Sequence, residues 1–491
     1  MISDQMDVIN IFESDGYEII RTEEKISSER DTYSKNITNS EPISIKEAEQ
    51  SKDNIKNIVP AIATPILKMI PEEEYDIPTI IKYLNWHMER VGELVIGRGE
   101  IIRQAVYAIL TGEHMLLLSR TGMAKSYLAT SIFNIFEGAR VFSSQASKDQ
   151  TPDNYFGPYN IDEFRKGRIR HNIKGSIIEA NFVFLDEFFD ASDVVLRSLL
   201  SVLNERKFIN GSEQIDAAVH TAIATANYMR MNEVTEAVLD RFTYKSIIPE
   251  DSNVYNQFLI DQTYTVSRGK PTEPDKKIFF NQILFLYDII TNKHRDIKVD
   301  VPEFIYFMKN VLVTKFISEM RKTDQNFFIS PRKQAKLSDF LRASSIVNNR
   351  FIANMDDIRD MYLALCTLNS YSSIKNLDKS EKELYLDVYQ KTMNHFKAAG
   401  ALSQIEFLLN VRTIFEEIKN DPEKRDVILK KSSLFDNIKN LFKLVFTGKR
   451  RDEDEEITLE SLKKSVFEIG SSVEEVNELK NGILREYREL T

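Results

Sequence analysis

At 491 residues the chain is longer than one hydrophobic core usually holds, and with 42% hydrophobic residues two or three domains are expected. A formal charge of −10 argues against nucleic acid as the main partner, because phosphate-backbone binding needs a basic surface. A single cysteine, Cys366, excludes an internal disulfide framework, scattered histidines lack zinc-ligand spacing, and no run approaches the ~18 apolar residues of a membrane span. With an acidic start, MISDQMDVINIFESDG, a cytoplasmic protein is expected.

Residues 1–60 are rich in Ser, Glu, Lys, Asp and Asn with few aliphatic clusters, and read as a disordered or loosely helical extension. An α/β core is expected over 61–250. IPTIIKYLNWHMERV (77–91) has helical apolar spacing and forms an N-terminal helix, with Trp86, the only tryptophan, assigned to core packing. HMLLLS (114–119) is a short apolar run, the pattern of a strand buried on both faces of a parallel sheet. Thr121, Gly122, Met123, Ala124, Lys125 and Ser126 follow, and YLATSIFNIFEG continues with helical spacing to Gly138.

Strand, loop and helix in this order read as a phosphate-binding loop, or alternatively as a helix N-terminus that happens to carry Lys-Ser. Backbone N–H groups at the helix start would point at a β-phosphate, Lys125 would neutralise β/γ charge, and the Ser126 hydroxyl would hold Mg²⁺. Ser119 and Ala124 stand where the simple motif has glycine. FRKGRIRH (164–171) is a basic cluster in an expected hairpin, which either faces a pore or neighbour or is a solvated surface.

NFVFLDEFFD (181–190) is an apolar strand with two carboxylates at its C-terminal end, the edge where open α/β sheets bind ligands. Asp186 would take Mg²⁺ through water and Glu187 would polarise an attacking water; alternatively the two acids simply end a strand. RKFINGSEQI (206–215) places Asn210-Gly211 between short alternating runs, a hairpin signal. HTAIATAN (220–227) is a further buried strand ending on Asn227, which could orient the attacking water. AVLDRF (237–242) leaves two readings of Arg241: an arginine finger supplied to a neighbouring subunit, or a surface arginine paired with Asp240.

Residues 251–370 read as helices: 278–293, 302–320, a segment opened by SPRK and 355–368. Ser330 is an N-cap with Pro331 at the first position, which puts Arg332 in the first turn. A cation there opposes the helix dipole unless it faces an anion, and a nucleotide phosphate would be one. Residues 371–491 form a helical extension, with apolar spacing at 384–396, 403–418 and 432–446. GKRR (448–451) followed by DEDEE marks an exposed loop, and 457–490 either form a partner-docking arm or complete a helical bundle.

On these motifs the chain resembles the MoxR-type AAA+ ATPases, and within them the RavA-like branch. The resemblance runs from about Val91 to Leu368, through GELVIGRGEIIRQAVYAILTGEHMLLL, TPDNYFGPYNIDEFRKGRI, GSIIEANFVFLDE and LRSLLSVLNERKFING. The family's loop has alanine at position 124, whereas Ser119, Arg120 and Thr121 replace its usual glycine and two prolines. The resemblance implies that Gly122, Lys125 and Ser126 bind phosphate and metal, and that Asp186 and Glu187 bind metal and activate water. It implies sensor 1 at Asn227, the finger at Arg241 and sensor 2 at Arg332, in an all-helical lid that closes over nucleotide. The hairpin tip would face a central channel, where Phe208 and Ile209 either touch a client or only stabilise the hairpin.

The expectation is therefore a doubly wound α/β AAA+ core with a helical lid and a helical C-terminal extension. It would hydrolyse ATP with Mg²⁺ as a homo-oligomeric, hexameric ring that remodels a protein client beside a von Willebrand factor A (vWA) domain partner. Two alternatives stand. A nucleic-acid motor would be stimulated by DNA or RNA, and an ATP-gated scaffold would assemble with negligible turnover.

Overall fold

The computed structural model describes residues 75–210, 213–228, 237–248, 253–268, 277–365, 380–424, 441, 445 and 458–488. All of them belong to one unit, Glu72–Thr491. The readings made for residues 1–60, Cys366, Gly211, most of 432–446 and the charged loop at 448–456 lie outside the described residues.

Helix α1 (Ile77–Leu94) starts at Asp76, whose carboxylate accepts from the Thr79 N–H, with proline in the first turn. Its buried stripe is Ile77, Ile80, Ile81, Leu84, Met88 and Val91. Trp86 falls off that stripe, stays 43% exposed and carries the Arg90 guanidinium 5.2 Å from its ring. The expectation that it packs in the core is corrected: helical periodicity turns position 86 toward solvent. Helix α2 (Gly99–Thr111) ends at Gly112, in the left-handed conformation, and delivers the chain to β1 (Met115–Leu118).

From β1 the chain passes through α3 (Lys125–Phe133) and the short β2 (Phe136–Glu137) to β3 (Val141–Gln145). The helix after the phosphate loop ends at Phe133, short of Gly138, because Phe136–Glu137 pair in parallel with β9 (Ile278–Phe279). Then come β4 (Phe182–Asp186), α4 (Asp193–Glu205), the hairpin β5 (Lys207–Asn210) and β6 (Glu213–Asp216), β7 (Thr221–Ala226) and β8 (Tyr244–Ile247). The main sheet has the order β3-β4-β7-β1-β8, and every pair is parallel. The chain leaves β1 for the far edge, works back to it, and then adds β8 on the other side. That reversal opens a crevice at the C-terminal ends of β1 and its neighbours.

Alternation along the strands divides the core into two layers. Met115, Leu117, Phe182, Phe184 and Ile223 face α1 and α2, whereas Leu116, Leu118, Val183, Leu185, Ala222 and Ala224 face Val195, Leu199 and Val202 of α4. Phe182, fully buried, meets Phe133 at 4.8 Å, Phe136 and Phe280 at 5.2 Å and His220 at 6.3 Å between ring centres.

The C-terminal part is helical, as expected: α5 (Val254–Ser267), α6 (Phe280–Ile290), α7 (Glu303–Met320), α8 (Pro331–Val347), α9 (Glu381–Ala398), α10 (Ala401–Asn420), α11 (Leu459–Glu468) and α12 (Glu474–Glu486). Among the described residues of the stretch expected at 355–368, Met355–Arg359 and Tyr362–Leu365 are helical. α6 to α12 share one continuous apolar cluster with α1 and α2. Tyr107 of α2 lies 4.7 Å from Phe340 of α8, Gln104 Nε2 donates to the Leu363 carbonyl (2.8 Å), and Arg103 pairs with Asp360 (2.6 Å). Glycine 470 separates α11 from α12, and α12 packs back on α10, with Phe415 and Tyr487 5.9 Å apart and Arg412 hydrogen-bonded to Glu486. For 457–490, the packed bundle is therefore the reading that the described residues follow. No helix among the described residues is long and apolar enough to cross a membrane.

Candidate nucleotide-binding site

The loop after β1 turns on two left-handed residues, Gly122 (φ 82°) and Ala124 (φ 56°). A Cβ at Gly122 would meet nothing within 4 Å, so the positive φ is what favours glycine there. Ser119 is buried and absent from the left-handed region, its N–H donating to the Ala226 carbonyl (3.0 Å) and its hydroxyl to that of Arg120 (3.1 Å). Serine in place of glycine therefore demands no strained backbone at this position. Arg120 and Thr121 lie exposed on the loop, and Met123 is half-buried.

Lys125, 7% exposed, opens α3 and directs its Nζ to the carbonyls of Ser119 (3.3 Å) and Ala226 (3.4 Å) and to Asn227 Oδ1. Burial lowers its pKa, against the opposing pull of Asp186 and Glu187. Next to it, Ser126 Oγ donates to Asp186 Oδ2 at 2.8 Å.

The parallel register brings the acids to the same edge. Asp186 accepts from Ser126, from the Glu187 N–H (3.0 Å) and from the Thr225 hydroxyl. Glu187 adopts φ 52°, which swings its carboxylate away from the strand direction. One oxygen accepts from Gln145 Nε2 (2.8 Å) and the other from Asn227 Nδ2 (3.2 Å). Lys125, Asn227, Glu187 and Gln145 thus form one polar chain along the ends of β1, β7, β4 and β3. Gln145 and Thr225 were not singled out from the sequence. The pairing of Gln145 with Asp186 across β3 and β4 reveals the first, and position one strand residue before Ala226 reveals the second.

A hydroxyl and a carboxylate 2.8 Å apart at a sheet edge suit a hard, oxygen-seeking divalent cation that keeps most of its remaining ligands from phosphate and water. Among the described residues no cluster of three or more His, Cys, Asp or Glu would hold a metal by itself. Ser126 and Asp186 fit Mg²⁺ bound together with a nucleotide.

The two arginines lie elsewhere. Asp240 and Arg241 precede β8, whose first residue donates its N–H to the His114 carbonyl at the start of β1 (3.1 Å). That is the N-terminal edge of the sheet, and the four residues of β1 alone, at roughly 3.3 Å each, put about 13 Å between it and the phosphate loop. Arg241 Nη1 pairs with Asp240 Oδ2 at 3.0 Å. Arg332, in the first turn of α8 as expected, donates to Asn204 Oδ1 at the end of α4 (2.9 Å) and lies 3.9 Å from Asp240 Oδ2. One turn further on, Lys336 pairs with Glu113 (2.5 Å), immediately before β1.

Within one chain, then, Arg332 lies beside Asn204 and Asp240, at the edge of the sheet away from Lys125 and Ser126. The contacts of Tyr107, Gln104 and Arg103 hold α8 and its neighbours on α2, behind the opposite edge of the sheet.

The segment between β3 and β4 carries the expected basic cluster. Hydrogen bonds from Asn160 N–H to the Arg170 carbonyl (2.7 Å) and from Asn172 N–H to that of Pro158 (2.7 Å) zip its base, and the helical turn Ile161–Arg165 caps it. Gly157 sits where a Cβ would come within 2.0 Å of the Asn172 carbonyl oxygen, so only glycine permits this closure. His171 ties the segment to the hairpin through Glu213 (3.0 Å), and Phe208 packs on Phe156 (4.8 Å) and His171 (5.0 Å). Of the two hairpin residues read as either touching a client or stabilising the hairpin, Phe208 is buried and Ile209 is 51% exposed.

Residues 82–286 match the family of MoxR domains of MoxR–vWA–β-propeller ternary systems. An uncharacterised protein of Methanocaldococcus jannaschii is 25% identical over 275 residues, 55% of this chain and 66% of that protein. The chaperone MoxR1 of Mycobacterium tuberculosis is 27% identical over 159 residues, 32% of this chain and 41% of that one. The chain therefore spans under two thirds of the length of both relatives. In fold it is similar to the crystal structure of an ATPase candidate from Cytophaga hutchinsonii, with a TM-score of 0.51, 20% identity, and coverage of 65% of this chain and 96% of that one. The parallel sheet with its helical C-terminal part fits an α/β AAA+ core, and residues 82–286 are similar to MoxR domains.

Proposed function

We propose that this chain hydrolyses ATP with Mg²⁺ in a ring of identical subunits, each completing its neighbour's site. One observation carries the reading: a phosphate loop, metal-binding acid, base and water-positioning amide are joined by hydrogen bonds at one edge of the sheet, and two arginines stand together at the other.

The loop N–H groups and Lys125 would hold the β- and γ-phosphates, and Ser126 with Asp186 would hold the cation. Mg²⁺ supplies charge neutralisation across those phosphates. Asn227, fixed between Lys125 and Glu187, would orient the attacking water, and Glu187 would take its proton. Arg241 and Arg332 of the adjacent copy would spread the charge that grows on the transferred group, an effect worth 10³–10⁵ in kcat in enzymes of this type.

In this reading the ring is RavA-like and cytoplasmic, and couples turnover to remodelling of a protein client. The family description, with its vWA and β-propeller components, supports a vWA-domain partner. The exposed Ile209 at the hairpin and Ile161, Phe164 and Ile169 on the basic segment are surfaces a client would meet.

The test is phosphate release from Mg²⁺-ATP over a protein concentration series, with Lys125→Ala as control. Turnover that rises more steeply than protein concentration and vanishes in the control supports the reading. Nucleotide-dependent assembly without release would indicate the scaffold instead, and stimulation by DNA or RNA a nucleic-acid motor.

A further inference from the structure

Asp240 is the one carboxylate on which both edge arginines converge among the described residues. Arg241 reaches it from the next position in the chain and Arg332 from the first turn of α8, both through Nη1 to the same Oδ2 (3.0 and 3.9 Å). Two guanidinium groups brought this close repel each other, and an anion between them offsets the repulsion. Asn204 adds a neutral acceptor for Arg332 at 2.9 Å but no charge. Among the described residues no other side chain links the pair: Arg241 belongs to the turn before β8, and Arg332 to a helix anchored on α2.

We infer that Asp240 is a positioning residue, which holds Arg241 and Arg332 as a preformed pair for presentation to a neighbouring copy's nucleotide. This rests on the proposed exchange of arginines between copies. Side-chain accessibilities of 24%, 35% and 43% for Arg241, Asp240 and Arg332 leave the cluster at the surface, where a phosphate could approach. An arginine fixed in advance loses less freedom when the transition state forms, so Asp240 acts on turnover and leaves ATP capture at the remote loop unchanged.

The test compares Asp240→Asn and Asp240→Glu in the full chain. Asp240→Asn should lower kcat about tenfold with KM within twofold, and Asp240→Glu should recover most of the loss. In an Arg332→Ala background the further loss from Asp240→Asn should shrink to less than threefold, because one of the two groups it aligns is gone. Wild-type kcat in Asp240→Asn, a change confined to KM, or a full tenfold loss in the Arg332→Ala background would overturn the inference. A second readout needs no hydrolysis. Modification by phenylglyoxal, followed by peptide mass spectrometry, should quicken at least threefold at Arg241 and Arg332 in Asp240→Asn and stay constant at Arg103, paired with Asp360. Unchanged rates at both arginines would refute the pairing whether or not the chain turns over ATP. Turnover absent from the wild type, together with quickened modification, would retain the pairing and reject the ATPase reading.

Discussion

Replacing Glu187 by glutamine separates chemistry from architecture at this site. In the wild type one carboxylate oxygen accepts from Gln145 and the other from Asn227. An amide keeps one acceptor and turns two donors toward a donor, so one of these bonds is lost. At this partly exposed position the loss costs about 1 kcal/mol, a fall in Tm of no more than about 2–4 °C. The chemical cost is larger. Removing a general base lowers rate by about 10²–10⁴-fold, or roughly 3–5 kcal/mol of barrier. Lys125 and the loop are untouched, so ATP binding should survive. Paired assays of phosphate release and fluorescent-ATP titration, with a melting curve, read all three quantities. Turnover within tenfold of wild type, with binding intact, would refute the assignment of Glu187 as base; loss of binding would show that the polar chain to Lys125 matters more than the carboxylate's basicity.

Lys125→Ala should abolish measurable ATP binding, because it removes the buried ammonium at the centre of the loop, and retained affinity in a titration would contradict its role. Arg241→Ala and Arg332→Ala should each leave ATP affinity of dilute subunits within twofold while lowering turnover of concentrated protein at least 100-fold; a weakened binding constant in dilute subunits would mean that the arginines act within their own chain. Phe182→Ala should destabilise the chain by about 3–5 kcal/mol, read from the denaturant midpoint, since four aromatic rings surround it. Burial holds the His220 imidazole at about 4, below the ordinary value of about 6.5. The unfolded chain therefore takes up a proton between those values that the folded chain refuses, and stability present above pH 6.5 falls by about 2 kcal/mol at pH 5. His220→Asn should remove that much of the difference between midpoints at pH 7.5 and 5, and an unaltered pH slope would show that His220 titrates normally.

The phosphate loop and the paired acids were legible because their signals are local. An apolar run that ends in polar residues places those residues at a strand's C-terminal end, and right-handed crossovers bring all such ends of a parallel sheet to one edge. Lys125, Ser126, Asp186, Glu187 and Asn227 meet for that reason. Tertiary structure alone decided the rest. Gln145 and Thr225 joined the site through strand register, which no short window of sequence encodes. Trp86 lies outside the core it was assigned to, and burial of Phe208 follows one of its two readings, since a helix's facing and a hairpin's support are set by what packs against them. Arg332 sits as its motif indicated, in the first turn of α8, yet its edge of the sheet was fixed by distant contacts of Tyr107, Gln104 and Arg103 with the helical part. Chemistry carried by strand ends is written in the chain, whereas the direction in which a domain presents its arginines depends on which buried surfaces meet.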